Sequence, residues 1–400
     1  MSRDARFPLA SVIFGDRRKT SPITIRERRR VSDTALEPTI ARQTSGTRSW
    51  HDLARLAARA SLIAAIAVVV IQVLRTIGLI DFGFTTWRPV AIVVLLWFII
   101  FDAAAYITGG VKGQQLLFLL PALQITLSLV IFPTLFGLAV AFTQWDIGGI
   151  SGPVFNGLEN FRRMAGDERF WNAIGNNFKY VVVAIPFQYV VAFIVALLLN
   201  QQIRAQKFFR VAFLLPFMIS PVAVGWMVGR SILDANRGVV PKLLASLGIA
   251  RVSFFDQPVP AFLGIVAMDS WIAIPFMMVM LLAGLQALPV EVFEAAQIDG
   301  ASGWKRFWDI TFPLMLPVLL TAVVLRVIFE FKLVDVVRVV TAGGPGGATD
   351  TLSLYIYREG VESGNVGYAT AMAMVFLVVV LVSVTAMLIF ASRRVRDVVY

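Results

Sequence analysis

The chain has 400 residues, of which 58% are hydrophobic and only 15% are charged, whereas soluble domains carry about 25% charged residues. This composition excludes an ordinary soluble domain and indicates an integral membrane protein. Cysteine is absent and His51 is the only histidine, which excludes disulfides, thiolate nucleophiles and Cys/His metal sites. The composition therefore predicts neither a catalytic group nor a metal site.

The formal net charge of +11 is concentrated at the N-terminus. Residues 1–60 contain thirteen Lys or Arg and six acidic residues, which accounts for +7 of the total. A basic flank before the first span is typical of a cytoplasmic N-terminus, and the segment lacks the interleaved aromatic residues that stack on nucleic-acid bases. We therefore expect no nucleic acid as a partner. Residues 1–55 are predicted to be a disordered, basic cytoplasmic tail that is attracted to anionic membrane lipid.

Eight stretches are long and apolar enough to cross a bilayer core about 30 Å thick, which requires roughly 20 residues per helix. Their approximate bounds are 60–80, 89–108, 116–142, 180–200, 209–230, 261–285, 314–337 and 367–391. A tight loop separates the first two, and these predict an added N-terminal hairpin over residues 56–114. The other six predict a functional core over residues 115–400.

Lys and Arg residues are concentrated in every second connecting segment between these spans. By the positive-inside rule, the short loops that collect bases lie in the cytoplasm. Those bases are Lys112, Arg204, Lys207, Lys305, Arg306, Arg393, Arg394 and Arg396. This pattern predicts cytoplasmic N- and C-termini, and it places the segment 288–313 in the cytoplasm as well.

Residues 289–313 form a polar, amphipathic island between two apolar spans. Pro289 suits the first turn of a short helix, and Gly300 suits a left-handed position at its C-terminal end. Either Ser302 or Asp299 can cap a second short helix. A segment of 25 residues with two helical patterns is longer than a connector requires, and it therefore predicts a docking surface.

The island contains Glu294-Ala295-Ala296, followed by Gly300, Ile310 and Pro313. This pattern resembles the EAA loop of binding-protein-dependent ABC importer permeases. The resemblance extends over about residues 115–391 and is closest to the carbohydrate-type permeases of the maltose, lactose and glycerol-phosphate importers, although Phe312 stands where the pattern usually has Leu. It implies an all-α integral membrane protein of the bacterial cytoplasmic membrane, with about eight transmembrane helices and a six-helix type I importer core. The residues implied to form the ATPase-coupling loop are Glu294, Ala295, Ala296, Asp299, Gly300, Ala301, Ile310 and Pro313.

The resemblance also implies a set of partners. They are a cytoplasmic ABC ATPase dimer, a second homologous permease that forms a heterodimer with this chain, and an external solute-binding protein. Because the chain has no G-x-x-x-x-G-K-[ST] loop, we expect no cofactor on this chain and place ATP and Mg in the partner ATPase. The expected function is ATP-driven import of a sugar, polyol or sugar derivative.

Ionisable residues inside spans are costly and therefore informative. Arg326 and Glu330 in the seventh span are i,i+4 neighbours that can pair, either as a purely structural contact or as the lining of a polar cavity. By the resemblance, residues of the sixth span occupy positions in the substrate pocket, and the fifth span has two prolines that disturb its helix. The predicted substrate pathway comprises Phe217, Ser220, Asp269, Ile272, Ala273, Arg326, Glu330 and Lys332.

Several alternatives stay open at this point. An ion-coupled secondary transporter would use the charged seventh span, but the polar island would then have no purpose. A membrane-embedded enzyme would need a reactive constellation that the sequence lacks. A neutral sugar or polyol is the default cargo, and Arg326 with Lys332 allows an anionic sugar or glycerol phosphate instead. The glycine-rich segment 341–349 has no preceding strand and no Lys, so it is expected to be a flexible external turn rather than a phosphate loop.

Overall fold

A computed structural model of the protein describes residues 25–149, 152–201, 204–248 and 253–399. Within these ranges the named secondary structure is helical apart from one short ribbon, in which β1 (Thr143–Gln144) pairs antiparallel with β2 (Val154–Phe155). The chain divides into two compact units. The first comprises Met1–Val69 and Thr86–Gln124, and the second comprises Val70–Thr85 and Ile125–Tyr400.

The α-helices in the described ranges are α1 (Ile25–Thr76), α2 (Arg88–Thr108), α3 (Gly110–Thr126), α4 (Phe132–Val140), α5 (Glu159–Ala165), α6 (Glu168–Asn200), α7 (Gln206–Leu214), α8 (Pro221–Val224), α9 (Val239–Ser246), α10 (Pro258–Gln286), α11 (Val290–Ile298), α12 (Gly303–Arg306), α13 (Phe312–Phe331), α14 (Asp335–Val340), α15 (Leu352–Tyr357) and α16 (Val366–Val399). Tighter or wider turns join some of them. These are a 3₁₀ turn at Leu215–Met218 and π-helical turns at Leu127–Ile131, Gly225–Ile232, Phe307–Thr311 and Arg358–Glu362.

Seven helical stretches in the described part of the chain are long and apolar enough to cross a membrane. They are Trp50–Thr76, Arg88–Thr108, Leu117–Val140, Glu168–Asn200, Pro258–Gln286, Gly303–Val340 and Val366–Phe390. An eighth is added if a bent pair of helices is counted as one span. The prediction of an all-α membrane protein with about eight transmembrane helices is therefore confirmed.

The fifth predicted span differs from a continuous helix. It consists of Gln206–Met218 and Pro221–Ile232, which meet at an angle of 90°. Ile219 and Ser220 between them adopt extended backbone conformations, because a proline disfavours the helical conformation of the residue before it and cannot donate a backbone hydrogen bond. The two prolines thus break this span rather than merely kink it.

In the first unit, α1 begins well before the apolar stretch that the sequence predicts. Residues 25–55, predicted as part of a disordered tail, are helical here. Residues 1–24 of that predicted tail lie outside the described residues.

A hydrogen bond joins the second and third spans within the first unit, where the amide of Gln124 donates to Asp102 Oδ1 on α2 at 2.7 Å. The proposed boundaries of tail, hairpin and core stay predictions.

The second unit is organised around α6, α10 and α13. Its largest apolar cluster joins alanines of α6 to methionines and leucines of α10 and α13, including Ala192, Ala196, Met277, Leu281 and Met315. A Cβ atom added at Gly284 of α10 would lie 2.8 Å from Val318 Cγ1 of α13. Small residues let membrane helices approach closely, so this packing fixes the three helices against one another.

The glycine-rich segment 341–349 is held in place rather than flexible. The Asn176 amide of α6 donates to the carbonyl oxygens of Gly347 at 2.8 Å and Asp350 at 3.0 Å. Asp350 in turn pairs with Arg169 at 2.9 Å and Arg358 at 3.2 Å. The segment therefore belongs to a built surface at the N-terminal end of α6.

Candidate functional site

The predicted coupling loop begins with α11, which ends at a Schellman motif. Gly300 adopts a φ of +72°, and the Ala301 N–H donates to Ala296 O at 2.9 Å while the Gly300 N–H donates to Gln297 O at 3.1 Å. These two bonds are the pair that defines the motif. No atom comes within 4 Å of a Cβ added at Gly300, so the backbone conformation alone requires glycine there.

Ser302 begins the second helix of the loop. Its Oγ accepts a hydrogen bond from the Lys305 N–H at 3.3 Å, whereas Asp299 is the C-cap residue of α11 and not the N-cap of the second helix. Pro289 precedes the first helical residue of α11 rather than lying in its first turn. The second helix continues through a π-helical turn into α13, so continuous helix joins the loop to the seventh span.

The loop presents both charge and apolar surface to its surroundings. Glu294 and Ala295 are exposed while Ala296 faces inward. Ile298 is 88% exposed and Trp304 is 74% exposed. Large apolar side chains left open beside a carboxylate on two short helices are typical of a surface that a partner covers.

The remaining residues predicted for the coupling loop lie along the same segment. Asp299 is exposed, and Ala301, Ile310 and Pro313 are half-buried. Phe307, which follows α12, packs against Phe193 of α6 with ring centroids 5.7 Å apart. The loop thus packs against α6 through its second helix, whereas its first helix is mostly exposed.

A buried polar cluster joins the three central helices near the middle of their length. The Arg326 guanidinium of α13 pairs with Asp269 of α10 and with Glu330 one turn further along α13. Its Nε donates to Gln188 Oε1 of α6 at 2.6 Å. The Gln188 amide then donates to Asp269 Oδ2 at 2.8 Å and to Ser270 Oγ at 3.1 Å.

These five residues are 9% exposed or less. The Oε1 atom of Glu330 has no hydrogen-bond partner among the described residues. One guanidinium therefore faces two carboxyl groups, and its charge is compensated within the protein. Removing a single member would leave the others buried and unpaired, which is costly in an apolar medium.

The structure does not gather every predicted pathway residue into this cluster. Lys332 is exposed at the end of α13, and Ser220 is exposed at the break of the fifth span. Phe217 is half-exposed and stacks on Phe276 of α10, with ring centroids 5.6 Å apart. Ile272 is half-buried and Ala273 is buried on α10, close in sequence to Asp269 but without a polar contact.

Gln188 and Ser270 are the members of the cluster that sequence reasoning missed. Gln188 stands in an otherwise apolar stretch of α6, and an isolated polar residue inside a span was the signal that could have identified it.

A second polar network lies at the opposite end of α6 from its junction with α7. Tyr355 Oη donates to Asp167 Oδ2 at 2.7 Å and Tyr368 Oη donates to the same atom at 2.6 Å. Desolvation opposes ionisation of Asp167, but the hydrogen bonds from Tyr368, Tyr355 and two backbone N–H groups outweigh it and lower the pKa of Asp167. Burial, followed by the Asp167 carboxylate, raises the pKa of Tyr355. Asp167 is therefore an ionised N-cap of α6.

Among the described residues, no group of three or more acidic or histidine side chains is placed to hold a metal ion. The features of the second unit are thus an exposed amphipathic loop, a compensated buried ion cluster, and a set of apolar spans that connects them.

Comparison with known proteins agrees with this arrangement. Residues 163–396 match the family described as "Binding-protein-dependent transport system inner membrane component". A trehalose/maltose transport system permease of Thermococcus litoralis is 33% identical over 70% of this chain and 94% of its own length. A sn-glycerol-3-phosphate transport system permease of Agrobacterium fabrum is 30% identical over 70% of this chain and 95% of its own length.

The fold is also found in solved structures. A bacterial ABC transporter involved in the import of the acidic polysaccharide alginate matches with a TM-score of 0.58 and 26% identity, over 71% of this chain and 97% of that one. The family match covers more than half of the chain. The chain therefore belongs to the binding-protein-dependent transport system inner membrane components, and it is a multi-pass permease subunit of an ABC importer with a type I core.

Proposed function

We propose that this permease imports a sugar, polyol or sugar derivative across the bacterial cytoplasmic membrane. Relatives whose names give a trehalose/maltose, a sulfoquinovosyl glycerol and a glycerol-3-phosphate cargo all transport polyhydroxylated solutes. The family depends on an external binding protein, which delivers the solute. An ion-coupled mechanism is not favoured, because it leaves the exposed amphipathic loop without a role.

The observation that carries the proposal is the coupling loop, residues 288–313. Its exposed Glu294 and the open apolar side chains Ile298 and Trp304 fit the surface of an ATPase subunit. The sequence offers no phosphate-binding loop of its own, so ATP and Mg belong to that partner. Closure of an ATPase dimer would move this loop, and continuous helix from Gly303 would carry the movement into the seventh span. The loop and both termini lie in the cytoplasm by the positive-inside rule.

We further propose that the predicted pathway residues border the solute route, with Asp269, Arg326 and Glu330 forming one of its walls. The Arg326 guanidinium is engaged by two carboxylates, so it offers no uncompensated positive charge to an anionic solute. This favours a neutral sugar or polyol over an acidic sugar or a glycerol phosphate. A second homologous permease, distinct from this chain, completes the route.

ATP-driven uptake into proteoliposomes tests the proposal. The permease is reconstituted with its partner permease and ATPase, and solute is supplied on its binding protein. We expect uptake that requires ATP and persists when proton and sodium gradients are collapsed. Glu294→Lys, which reverses a charge on the docking face, is expected to abolish uptake, and Asp81→Lys, an exposed loop position outside the family match, is the control. Uptake that follows an ion gradient and ignores ATP would refute the proposal.

Binding of a panel of neutral and anionic sugars to the partner binding protein tests the cargo separately. Neutral ligands alone are expected to bind. If only anionic ligands bind, the argument from the compensated charge of Arg326 is wrong, while the ATP-driven mechanism is unaffected.

A further inference from the structure

A cavity of about 500 Å³ opens between α6, the start of α10 and the glycine-rich segment of the second unit. Its volume lies in the range of small-molecule sites, about 300–1,000 Å³. It is separate from the coupling loop and from the Arg326 cluster, and no residue of the predicted solute route lines it. Its lining residues are Asn172, Asn176, Lys179, Val183, Pro258, Val259, Phe262, Leu263, Gly346 and Ala348.

The polar half of the cavity is preformed. The amides of Asn172 and Asn176 donate to Gly347 O at 2.9 and 2.8 Å, which fixes the glycine-rich segment as one wall. The Asn176 side chain also accepts from Lys179 Nζ at 3.1 Å. Asn176 commits both of its amide N–H groups, to Gly347 O and Asp350 O, and Asn172 commits one of its two, so a single amide N–H is left for the hydroxyls of a sugar.

Lys179 is the cation of this half. It is exposed, and in the described part of the chain it pairs with no carboxylate. An ammonium group has three donors, and the bond to Asn176 uses one of them. The cavity therefore presents one uncompensated positive charge, which suits a phosphate.

The other half is apolar and rigid. Val183 lies one helical turn beyond Lys179 along α6, with Phe262 and Leu263 of α10 beside it. Phe262 is stacked on the buried Tyr180, with ring centroids 4.5 Å apart. Leu263 is 51% exposed and Val183 is 42% exposed, so this half offers open hydrocarbon surface rather than hydrogen-bonding groups.

The depth of the cavity matches the boundary of the bilayer core. Lys179 lies 11 residues after the start of α6 at Glu168, which is about 16 Å along the helix axis. The 21 residues from Lys179 to Asn200 at the end of α6 supply about 32 Å, close to the thickness of one hydrocarbon core. With the predicted span at residues 180–200, Lys179 falls at the level of the headgroups and Val183 at the level of the acyl chains.

Because the cavity changes from a polar, cationic half to an apolar half, we propose that it binds an anionic phospholipid from the lipid-facing side of α6 and α10. Its phosphate pairs with Lys179, and its upper methylenes lie on Val183, Phe262 and Leu263. A lipid held here would contact the glycine-rich segment 341–349, which hydrogen bonds from α6 hold in place. We expect this segment to lie on the side at which the solute enters the permease.

Lipid titration of the assembled, delipidated transporter, followed by native mass spectrometry, tests the site. The probes are phosphatidylglycerol, phosphatidylcholine and water-soluble glycerol phosphate. We expect the tightest phosphatidylglycerol to bind about fivefold more weakly to Lys179→Gln, from the contribution of one Lys near a membrane surface. Lys179→Arg keeps the charge and is expected to retain binding. Lys242→Gln, which removes an exposed lysine of α9 outside the cavity, is expected to bind like the wild type.

A separate variant tests the apolar half of the cavity. Leu263→Asn is expected to weaken phosphatidylglycerol binding without changing the assembly of the transporter, since Leu263 is exposed. Three results would overturn the proposal. They are equal lipid affinity in wild type and Lys179→Gln, competition by glycerol phosphate at the same concentration as the lipid, and loss of the second permease from the Lys179→Gln assembly. The last two would assign the cavity to a free anion and to a protein contact, respectively.

Discussion

Replacing Arg326 with Met is expected to destabilise the permease severely. The guanidinium lies between the Asp269 and Glu330 carboxylates and also donates to Gln188 at 2.6 Å. Its removal leaves two carboxyl groups buried against each other in a position that is 9% exposed or less. Removing one partner of a buried ion pair costs about 3–5 kcal/mol, whereas neutral hydrogen bonds between membrane helices average about 0.6 kcal/mol. We expect the larger value, because full charges are left without a partner.

The assay is denaturant-titrated unfolding of the detergent-solubilised transporter, followed by tryptophan fluorescence. Arg162→Met is the matched control, because Arg162 pairs with Glu159 at 3.9 Å on the surface with both side chains mostly exposed, and such pairs contribute less than about 1 kcal/mol. Glu330→Gln keeps an acceptor for Arg326 and is expected to cost less than Arg326→Met. If the free energy of unfolding of Arg326→Met lay within about 1 kcal/mol of that of the control, the cluster would not hold α6, α10 and α13 together.

Two further predictions concern the coupling loop and the N-cap of α6. Gly300→Ala forces a side chain into a φ of +72° and is expected to cost about 1–2 kcal/mol and to reduce ATP-driven uptake. Gly303→Ala, in a helical position with open space, is expected to leave uptake unchanged, and equal loss in both variants would refute the Schellman argument. Because the pKa of Asp167 is lowered in the folded state, its contribution to stability is present above the unfolded pKa of about 3.9 and is lost as the pH falls through the folded value. Asp167→Asn should therefore flatten the pH dependence of thermal stability below about pH 4, and an unchanged slope would contradict the assignment.

The spans and the local geometry of the coupling loop were predictable from sequence because they depend on near neighbours. About 20 apolar residues define a span wherever they occur, and the left-handed backbone at Gly300 follows from the absence of a Cβ atom. The pairing of Arg326 with Glu330 follows from their spacing of four on one helix. Each of these features needs no knowledge of how distant helices pack.

The convergence of side chains from three helices in the polar cluster could not be predicted from near neighbours in the sequence. Gln188 and Asp269 are 81 residues apart, and Asp269 and Arg326 are 57 apart. Only the packing of three helices brings them together. The break at Ile219 and Ser220 was signalled by its prolines, but the angle of 90° depends on what the two halves pack against. The fixed conformation of the segment 341–349 likewise depends on distant residues such as Asn176 of α6.

The most direct test of the central claim is cross-linking of the coupling loop to the ATPase. The chain has no cysteine, so Ala295→Cys, at an exposed position of α11, introduces a single attachment point for a photoactivatable cross-linker. Ser246→Cys, exposed on α9, is the control, because the positive-inside rule predicts that α9 lies on the external side. In the assembled transporter, Ala295→Cys is expected to cross-link to the ATPase and Ser246→Cys is not. Cross-linking of the ATPase from Ser246→Cys but not from Ala295→Cys, in transporters that are equally assembled, would contradict the account.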